Sequence, residues 1–237
     1  MSNHYFKFKQ FTIQQDRCAM KVSTDACFQG AWTPIDDGVR SVLDIGTGTG
    51  LLSLMLAQRN ADIEVEAIEL DEAAAGQAQE NAFASPWKNR DELIHADART
   101  YDFRKRYDMA ICNPPFYSNS LLGDTESRNH ARHTIALSHP ELLRVLDRVL
   151  APDGYASILL PVVEHQAWEE LLNEHGWKIH RRLCIYHQEE SPANRIVSLC
   201  KRQNTDEAEE EKLIIFVAEK QYSRDAVELL KPFYLKL

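Results

Sequence analysis

The sequence predicts an α/β protein with a mostly parallel central sheet, antiparallel strands at its C-terminal end and helices on both faces. Two observations lead to this fold class. Strand-like and helix-like segments alternate up to about residue 175, which is typical of parallel sheets with crossover helices. Three strand-like segments then follow one another without a helix between them, as antiparallel strands do.

Length and composition favour a single domain. The chain has 237 residues, 44% of them hydrophobic, and no linker rich in proline, glycine or serine divides it. We expect an N-terminal arm and helix over 1–40, a binding and catalytic core over 41–161, and a C-terminal helix with antiparallel strands over 162–237. The lack of a long apolar run and of a signal-peptide pattern predicts a cytoplasmic protein without a membrane span.

Cysteine usage and charge narrow the classes of function. Five cysteines are scattered and none forms a Cys-x-x-Cys pair, so we expect reduced, mostly buried thiols rather than disulfides or a metal site. The net charge of -9 argues against a nucleic-acid-binding protein. Basic residues nevertheless gather in four stretches, and such patches can bind phosphate if they share a face. They are residues 7–21, 99–106, 128–133 and 178–182.

A glycine-rich turn opens the predicted core. Residues 42–45 indicate a buried strand, 46–50 read Gly-Thr-Gly-Thr-Gly, and 51–58 have helical spacing, which is how a nucleotide-binding βαβ unit begins. Glycine permits the tight turn and a close approach of backbone to ligand. Leu51 stands where the dinucleotide fingerprint has its third glycine, which argues against a nicotinamide or flavin cofactor. We predict that Asp44, Gly46, Gly48 and Gly50 belong to a small-nucleoside pocket.

Two carboxylates follow the next predicted strands. Glu69 ends the strand at 64–68 and lies 19 positions beyond Gly50, the interval at which an acidic residue accepts hydrogen bonds from ribose hydroxyls. Asp97 follows the strand at 93–96 and can accept from an exocyclic amine such as that of adenine. The alternatives are an ordinary strand-end carboxylate for Glu69 and a turn-forming role for Asp97.

A polar turn also precedes the core. Residues 20–26 lead into a helix-like run that reaches Trp32. Thr24 or Asp25 suits the N-cap of that helix, and both are also candidate contacts to a cofactor. The sequence leaves these two interpretations open.

The candidate catalytic residues are Asn113-Pro114-Pro115-Phe116, directly after the strand-like residues 107–112. Two consecutive prolines cannot continue a strand ladder, so the strand ends here. An amide oxygen and a backbone carbonyl can hold the two hydrogens of a planar amine. The lone pair then localises on nitrogen, which makes the amine nucleophilic without a strong base. Phe116 offers a face on which a flipped-out base can stack, and a donor of an activated methyl completes the site.

These motifs, in this order and spacing, resemble the Rossmann-like class I S-adenosylmethionine-dependent methyltransferases that modify amino groups. Three further stretches are similar to the bacterial tRNA1(Val) adenine-37 N6-methyltransferase family: Met20 to Trp32, Ala131-Arg132-His133 and Phe233-Tyr234-Leu235. The resemblance implies S-adenosylmethionine as cofactor and transfer of its methyl group to N6 of an adenine in a tRNA anticodon loop. The resemblance implies that the cofactor is contacted by Gly46, Gly48, Glu69 and Asp97. It implies that Asn113 and Phe116 contact the target adenine, with Asn113 also bordering the cofactor.

Other acceptors and other classes of protein remain as alternatives. A release-factor glutamine or a guanine N2 of ribosomal RNA can use the same four residues. Release-factor enzymes usually carry tyrosine at the position of Phe116 and a helical N-terminal domain, for which about forty residues are too few. A non-catalytic RNA-binding protein is a third possibility, and a metal-dependent hydrolase using His130 and His133 a fourth, which lacks further ligands. We expect a monomer without metal.

Overall fold

The computed structural model describes residues 3–88, 91–115, 137–202 and 207–237. The strands are β1 (Tyr5–Lys7), β2 (Thr12–Gln14), β3 (Ser41–Ile45), β4 (Glu64–Glu69), β5 (Asp91–His95), β6 (Tyr107–Cys112), β7 (Leu150–Pro161), β8 (Trp177–Tyr186), β9 (Ala193–Arg202), β10 (Glu209–Ile214), β11 (Phe216–Ala218) and β12 (Gln221–Tyr222). The helices are α1 (Thr24–Trp32), α2 (Leu51–Arg59), α3 (Glu72–Phe83), α4 (His139–Val149), α5 (Val162–Glu174) and α6 (Arg224–Leu230).

The centre of the molecule is an eight-stranded sheet in the order β10-β8-β9-β7-β6-β3-β4-β5. The predicted α/β class with a mostly parallel sheet is confirmed. Strand β9 pairs antiparallel with both β7 and β8, whereas β10 pairs parallel with β8. Of the three C-terminal strands, β9 alone therefore runs against the others. Strand β9 follows β8 directly, as an antiparallel neighbour can, whereas the parallel strands β7 and β8 are connected through helix α5.

Apolar side chains cover both faces of the sheet. Leu43 of β3 packs in a cluster with Leu146 of α4 and Trp168 of α5. The preceding residue, Val42, packs with Leu56 of α2 on the opposite face. Because successive strand residues point to opposite faces, this pattern places helices on both sides, as predicted.

The Pro-Asp-Gly sequence at 152–154 predicts a turn, but these residues are part of strand β7. The strand runs without interruption from Leu150 to Pro161, with an irregularity in its register opposite β6. A Cβ at Gly154 would lie 3.0 Å from the carbonyl oxygen of Tyr107. Glycine therefore permits a bulge where a side chain would collide with the neighbouring strand.

The acidic sequence of residues 203–212 predicts a solvated loop, and this prediction is wrong for 209–212. Strand β10 begins at Glu209 and adds to the sheet edge beside β8. Arg181 of β8 hydrogen-bonds Glu211 at 2.6 Å, and Arg182 lies 3.7 Å from Glu210. The carboxylates are tolerated because cations of the adjacent strand face them on an exposed edge.

The two ends of the chain pack together. Phenylalanines alternating with polar residues near the N-terminus predict a short strand or a hairpin arm, and the structure has a hairpin, since β1 and β2 pair antiparallel. Phe8 forms a bridge with Tyr234, and the amide of Lys9 donates to the carbonyl of Phe233 at 2.8 Å. Phe8 and Phe233 are both 1% exposed, so the C-terminal segment completes the core under the hairpin.

Replacing Phe233 with alanine should therefore destabilise the protein by about 3 to 5 kcal/mol, because a large buried aromatic side chain would leave a cavity. Urea unfolding measures the change. The matched control is Leu235→Ala, two residues away and 53% exposed, which should change stability by less than about 0.5 kcal/mol. Equal losses in the two variants would contradict the packing role of Phe233.

The five cysteines are buried and free, as predicted. Within the described ranges, no helix has the length and apolar character needed to cross a membrane.

Candidate active site

Three neighbouring strands bring the predicted site residues to one edge of the sheet. Ile45, the last residue of β3, pairs with Cys112 of β6 on one side and with Ile68 of β4 on the other. The next residues along these strands are Gly46, Asn113 and Glu69. Parallel strands share the direction of their carboxyl ends, so the three residues lie side by side at the edge where open α/β sheets bind ligands.

The glycine turn has a backbone that only glycine adopts readily. Gly46, Gly48 and Gly50 have φ of 69°, 57° and 79°, all in the left-handed region. A Cβ added at Gly46 or Gly48 would meet no atom of the described residues within 4 Å, whereas one at Gly50 would touch Ala78 of α3 at 3.5 Å. Gly46 and Gly48 therefore border open space in which a ligand can lie against the backbone. Gly50 serves the turn and the packing of α2 on α3.

Asp44 is buried beneath this turn. Its Oδ2 accepts hydrogen bonds from the hydroxyls of Thr47 (2.6 Å) and Ser53 (2.7 Å) and from the Ser53 amide (3.2 Å). Its Oδ1 is buried without a partner among the described residues. Burial raises the pKa of the Asp44 carboxyl to about 6, against the opposing effect of these hydrogen bonds. Asp44 holds the turn to the start of α2 and leaves one acceptor unused.

The raised pKa of Asp44 gives a pH-dependent stability difference. Because the folded state favours the protonated carboxyl, the contribution of Asp44 to stability is present at low pH and is lost as pH rises through about 6. Asp44→Asn cannot ionise, so its stability relative to the wild type should rise between about pH 4 and about pH 7, on the order of 1 to 3 kcal/mol. Urea unfolding across this range tests the prediction, and Asp62→Asn, at an exposed carboxylate, controls for the lost charge. A difference that stays constant with pH would contradict burial as the cause.

Glu69 links the end of β4 to the glycine turn. Its Oε2 accepts from the amide of Gly48 at 2.9 Å, and its Oε1 accepts from the amides of Leu70 (2.8 Å) and Asp71 (2.9 Å). The side chain is half-buried at the rim of the open space beside Gly48. A carboxylate with about four lone-pair positions still has acceptor capacity, so Glu69 is oriented by backbone amides and can bind hydroxyl groups.

Asp97 lies one strand farther along the same edge. His95 of β5 pairs with Glu69, and Asp97 follows two residues later. Arg99 holds the Asp97 carboxylate, with Nε at 2.9 Å from both oxygens, and this hydrogen bonding lowers the pKa of Asp97. The carbonyl of Asp97 also accepts from Thr100 and Tyr101, which agrees with a turn-forming role. Sequence reasoning did not identify Arg99 as its partner.

Asn113 presents an unused acceptor. Strand β6 ends at Cys112 as predicted, and the Oδ1 of Asn113 is buried without a hydrogen-bond partner among the described residues. A buried amide oxygen without a partner is costly, and such atoms concentrate where a ligand supplies the missing donor. Pro114 is buried and Pro115 is exposed, while Phe116 lies outside the described residues.

Gln29 of α1 is a residue of this site that sequence reasoning missed. It is fully buried, and its Nε2 donates to the carbonyl oxygens of Cys112 (3.0 Å) and Ser157 (3.1 Å). The Cys112 carbonyl belongs to the peptide group that precedes Asn113. Gln29 therefore holds that peptide group in place by donating a hydrogen bond to its carbonyl oxygen. The single polar residue in the apolar helix at 26–32 was the one signal available in the sequence.

Thr24 and Asp25 begin α1, and neither caps it. The cap is Ser23, whose hydroxyl accepts from the amide of Ala26 at 3.2 Å. The Thr24 side chain instead faces Tyr222 and Tyr234 of the C-terminal segment.

Asp25 lies beside strand β9. Its carboxylate is 3.7 Å from the guanidinium of Arg195. Burial raises the pKa of Asp25, and the neighbouring Arg195 and His187 oppose that rise. The structure thus places Asp25 next to Arg195 and one helical turn before Gln29, while the Thr24 side chain faces C-terminal tyrosines.

The described residues contain no group of three or more histidine, cysteine or carboxylate side chains that could hold a metal ion. His130 and His133, the candidate ligands of the hydrolase alternative, lie outside the described residues.

Comparisons of the sequence with known proteins agree on a methyltransferase. A family model described as methyltransferase small domain matches residues 34–160. The chain is 42% identical over 241 residues to the tRNA1(Val) (adenine(37)-N6)-methyltransferase of Dyadobacter fermentans. The alignment covers 99% of this chain and 98% of that relative. The family predicted from the motifs is confirmed.

Solved structures share the fold at low sequence identity. A predicted O-methyltransferase from Agrobacterium tumefaciens has a TM-score of 0.67 at 15% identity, over 88% of this chain and 96% of its own. A methyltransferase from Thiobacillus denitrificans, in complex with S-adenosyl-L-homocysteine, has a TM-score of 0.50 at 18% identity, over 70% and 69% of the two chains. The predicted Rossmann-like methyltransferase fold is confirmed by these likenesses and by the strand order.

Proposed function

The chain belongs to the tRNA1(Val) (adenine(37)-N6)-methyltransferase family, and we propose that it catalyses that reaction. The methyl donor is S-adenosylmethionine, and the acceptor is N6 of adenine 37 in the anticodon loop of tRNA(Val). The observation that carries the proposal is the buried Oδ1 of Asn113, which has no partner among the described residues and lies beside the open space at Gly46 and Gly48.

The residues at the sheet edge fit S-adenosylmethionine. The backbone of Gly46 and Gly48 is open to a ligand, and Glu69 is oriented to accept from ribose hydroxyls. The free Oδ1 of Asp44 adds a buried acceptor under the turn. Asp97 and the start of α1, with Thr24 and Asp25, are further candidate contacts. When bound, the cofactor supplies an electrophilic methyl group.

The residues after β6 act on the acceptor amine. The Asn113 amide oxygen and a backbone carbonyl of the Asn-Pro-Pro segment accept the two N6 hydrogens, which localises the nitrogen lone pair. No strong base is required, because the amine is activated by hydrogen bonding and positioned for reaction. Phe116 provides the stacking face for the extruded adenine.

A different acceptor would keep the same machinery. Guanine N2 of ribosomal RNA and a glutamine amide of a protein remain alternative substrates. The name and near-complete coverage of the Dyadobacter fermentans relative favour tRNA. A cytoplasmic, monomeric, single-domain enzyme is the corresponding working hypothesis.

Mapping the modified nucleoside tests the proposal. The purified protein is incubated with labelled S-adenosylmethionine and total RNA from cells that lack the enzyme, and labelled RNA is digested and sequenced. We expect N6-methyladenosine at position 37 of tRNA(Val), as in the name of the relative. Label in ribosomal RNA, with unlabelled tRNA, would overturn the tRNA assignment.

Gln29 should act as a positioning residue for Asn113. Gln29→Met conserves side-chain length and removes both donors, so the peptide before Asn113 loses its anchor. We expect kcat to fall by about tenfold while KM for the cofactor stays unchanged, because only the amine-holding geometry is altered. The control is Thr33→Val, which removes a buried hydrogen bond from the same helix to the Ser157 hydroxyl (2.7 Å) and does not touch Cys112. If Gln29→Met and Thr33→Val lower kcat equally, Gln29 has only a structural role.

A further inference from the structure

A concavity of about 400 Å³ lies at the C-terminal hairpin, apart from the pocket formed by the glycine turn and Asn113. Three rings form its apolar part. The centroids of His187 and Phe216 are 5.2 Å apart, and those of Phe216 and Tyr222 are 4.8 Å apart. Glu219 and Lys220 line its rim and are about nine-tenths exposed. Aromatic faces within a polar, open rim suit a flat heterocycle better than an aliphatic group.

The position of this concavity in the sheet relates it to Asn113. His187 directly follows β8, whose carboxyl end lies at the same edge as that of β6. The strand order β8-β9-β7-β6 separates the two ends by three strand spacings, roughly 14 Å. A few nucleotides of single-stranded RNA can span this distance.

The surface between the two sites contains a cation. Arg195 lies at the start of β9, between β8 and β7 in the sheet, with its side chain 24% exposed. Its guanidinium is oriented by Asp25, 3.7 Å away, on the helix whose Gln29 holds the end of β6. This guanidinium places a positive charge on the path between the two sites, where the backbone of a bound RNA would pass.

We propose that the concavity at His187, Phe216 and Tyr222 binds an unpaired nucleobase of the RNA substrate, a few nucleotides from the base held by Asn113. This inference rests on the proposed function and extends it to substrate recognition. The base stacks on the Phe216 ring, and the connecting backbone passes Arg195. A site that binds a second unpaired base favours single-stranded loops over duplex RNA, because the bases of a loop are free to splay out.

Substitutions that keep volume and remove aromatic faces test the proposal. Phe216→Leu and His187→Leu, singly and together, should each weaken tRNA binding, measured by fluorescence anisotropy, on the order of tenfold. The slope of log Kd against log salt should not change for Phe216→Leu, because no cation is lost. S-adenosylmethionine affinity and the thermal midpoint verify that the fold and the first pocket are intact. The control is Val217→Ala, 62% exposed and on the opposite side of the same strand.

A second measurement locates the base directly. Anticodon stem-loops carrying 2-aminopurine at single positions are titrated with wild-type protein and with Phe216→Leu. We expect one position, other than the target, at which stacking quenches the fluorescence of the wild-type complex and not that of the variant. Tight tRNA binding in all variants, within twofold of Val217→Ala and without such a position, would overturn the proposal. If wild-type protein binds S-adenosylmethionine and neither binds nor methylates tRNA, the proposed function fails as well.

Discussion

Replacing Asn113 with alanine is expected to lower methyl transfer to tRNA by at least about 100-fold, with S-adenosylmethionine binding preserved. The reason is geometric. The Oδ1 of Asn113, at the end of β6, is buried and has no partner in the part of the chain that the structure describes. The glycine turn that borders the cofactor space is built on β3 and β4. Removing the amide therefore removes the group that holds the amine and leaves the cofactor side intact.

Single-turnover kinetics and calorimetry separate the two effects for Asn113. The first measures chemistry on saturating tRNA, and the second measures the cofactor Kd. Asn173→Ala is a suitable control, because its amide oxygen accepts from Lys178 at 2.6 Å on an exposed surface away from this edge. Turnover of Asn113→Ala near the wild-type rate would refute the amine-holding role.

Replacing Glu69 with alanine should weaken S-adenosylmethionine binding by about 10- to 100-fold, as expected for lost hydrogen bonds to a charged group. The carboxylate has two functions in the structure. It accepts from the amide of Gly48, which holds the glycine turn, and it faces the space assigned to the ribose. Both contributions are lost in the variant.

Asp71 provides the matched control for Glu69. It is an exposed carboxylate two residues away whose Oδ1 caps α3 by accepting from the amide of Ala74 at 2.8 Å. Asp71→Ala should cost about 1 kcal/mol of stability and leave the cofactor Kd unchanged. Calorimetry measures the cofactor Kd of both variants. If Glu69→Ala binds the cofactor as tightly as Asp71→Ala does, Glu69 is only a strand-end carboxylate.

Features determined by local chemistry were predictable from the sequence. The glycines at 46, 48 and 50 have the left-handed φ that their spacing implies, and Asp71 caps α3 as its position suggests. The two prolines end β6 at Cys112 because they cannot donate to a ladder. In each case the residue and its structural consequence are a few positions apart.

Features that depend on distant partners were not predictable. Glu209 to Ile214 form a strand because Arg181 and Arg182 of β8 face their carboxylates, although the same residues in isolation favour a solvated loop. Similarly, the Thr24 side chain faces tyrosines about 200 positions farther along the chain. Such contacts form only once the sheet order has been established.

The reaction class follows from the sequence pattern, because the glycine turn, Glu69 and Asn113 each follow a buried strand and their chemistry is local. How those residues are held follows from the packing of the whole chain. Gln29, 83 positions before Cys112, hydrogen-bonds the carbonyl of the peptide that precedes Asn113, and the Asn113 oxygen is buried without a partner among the described residues. The physical reason is that a buried donor must find its acceptor through the packing of α1 on the sheet, which no local pattern encodes.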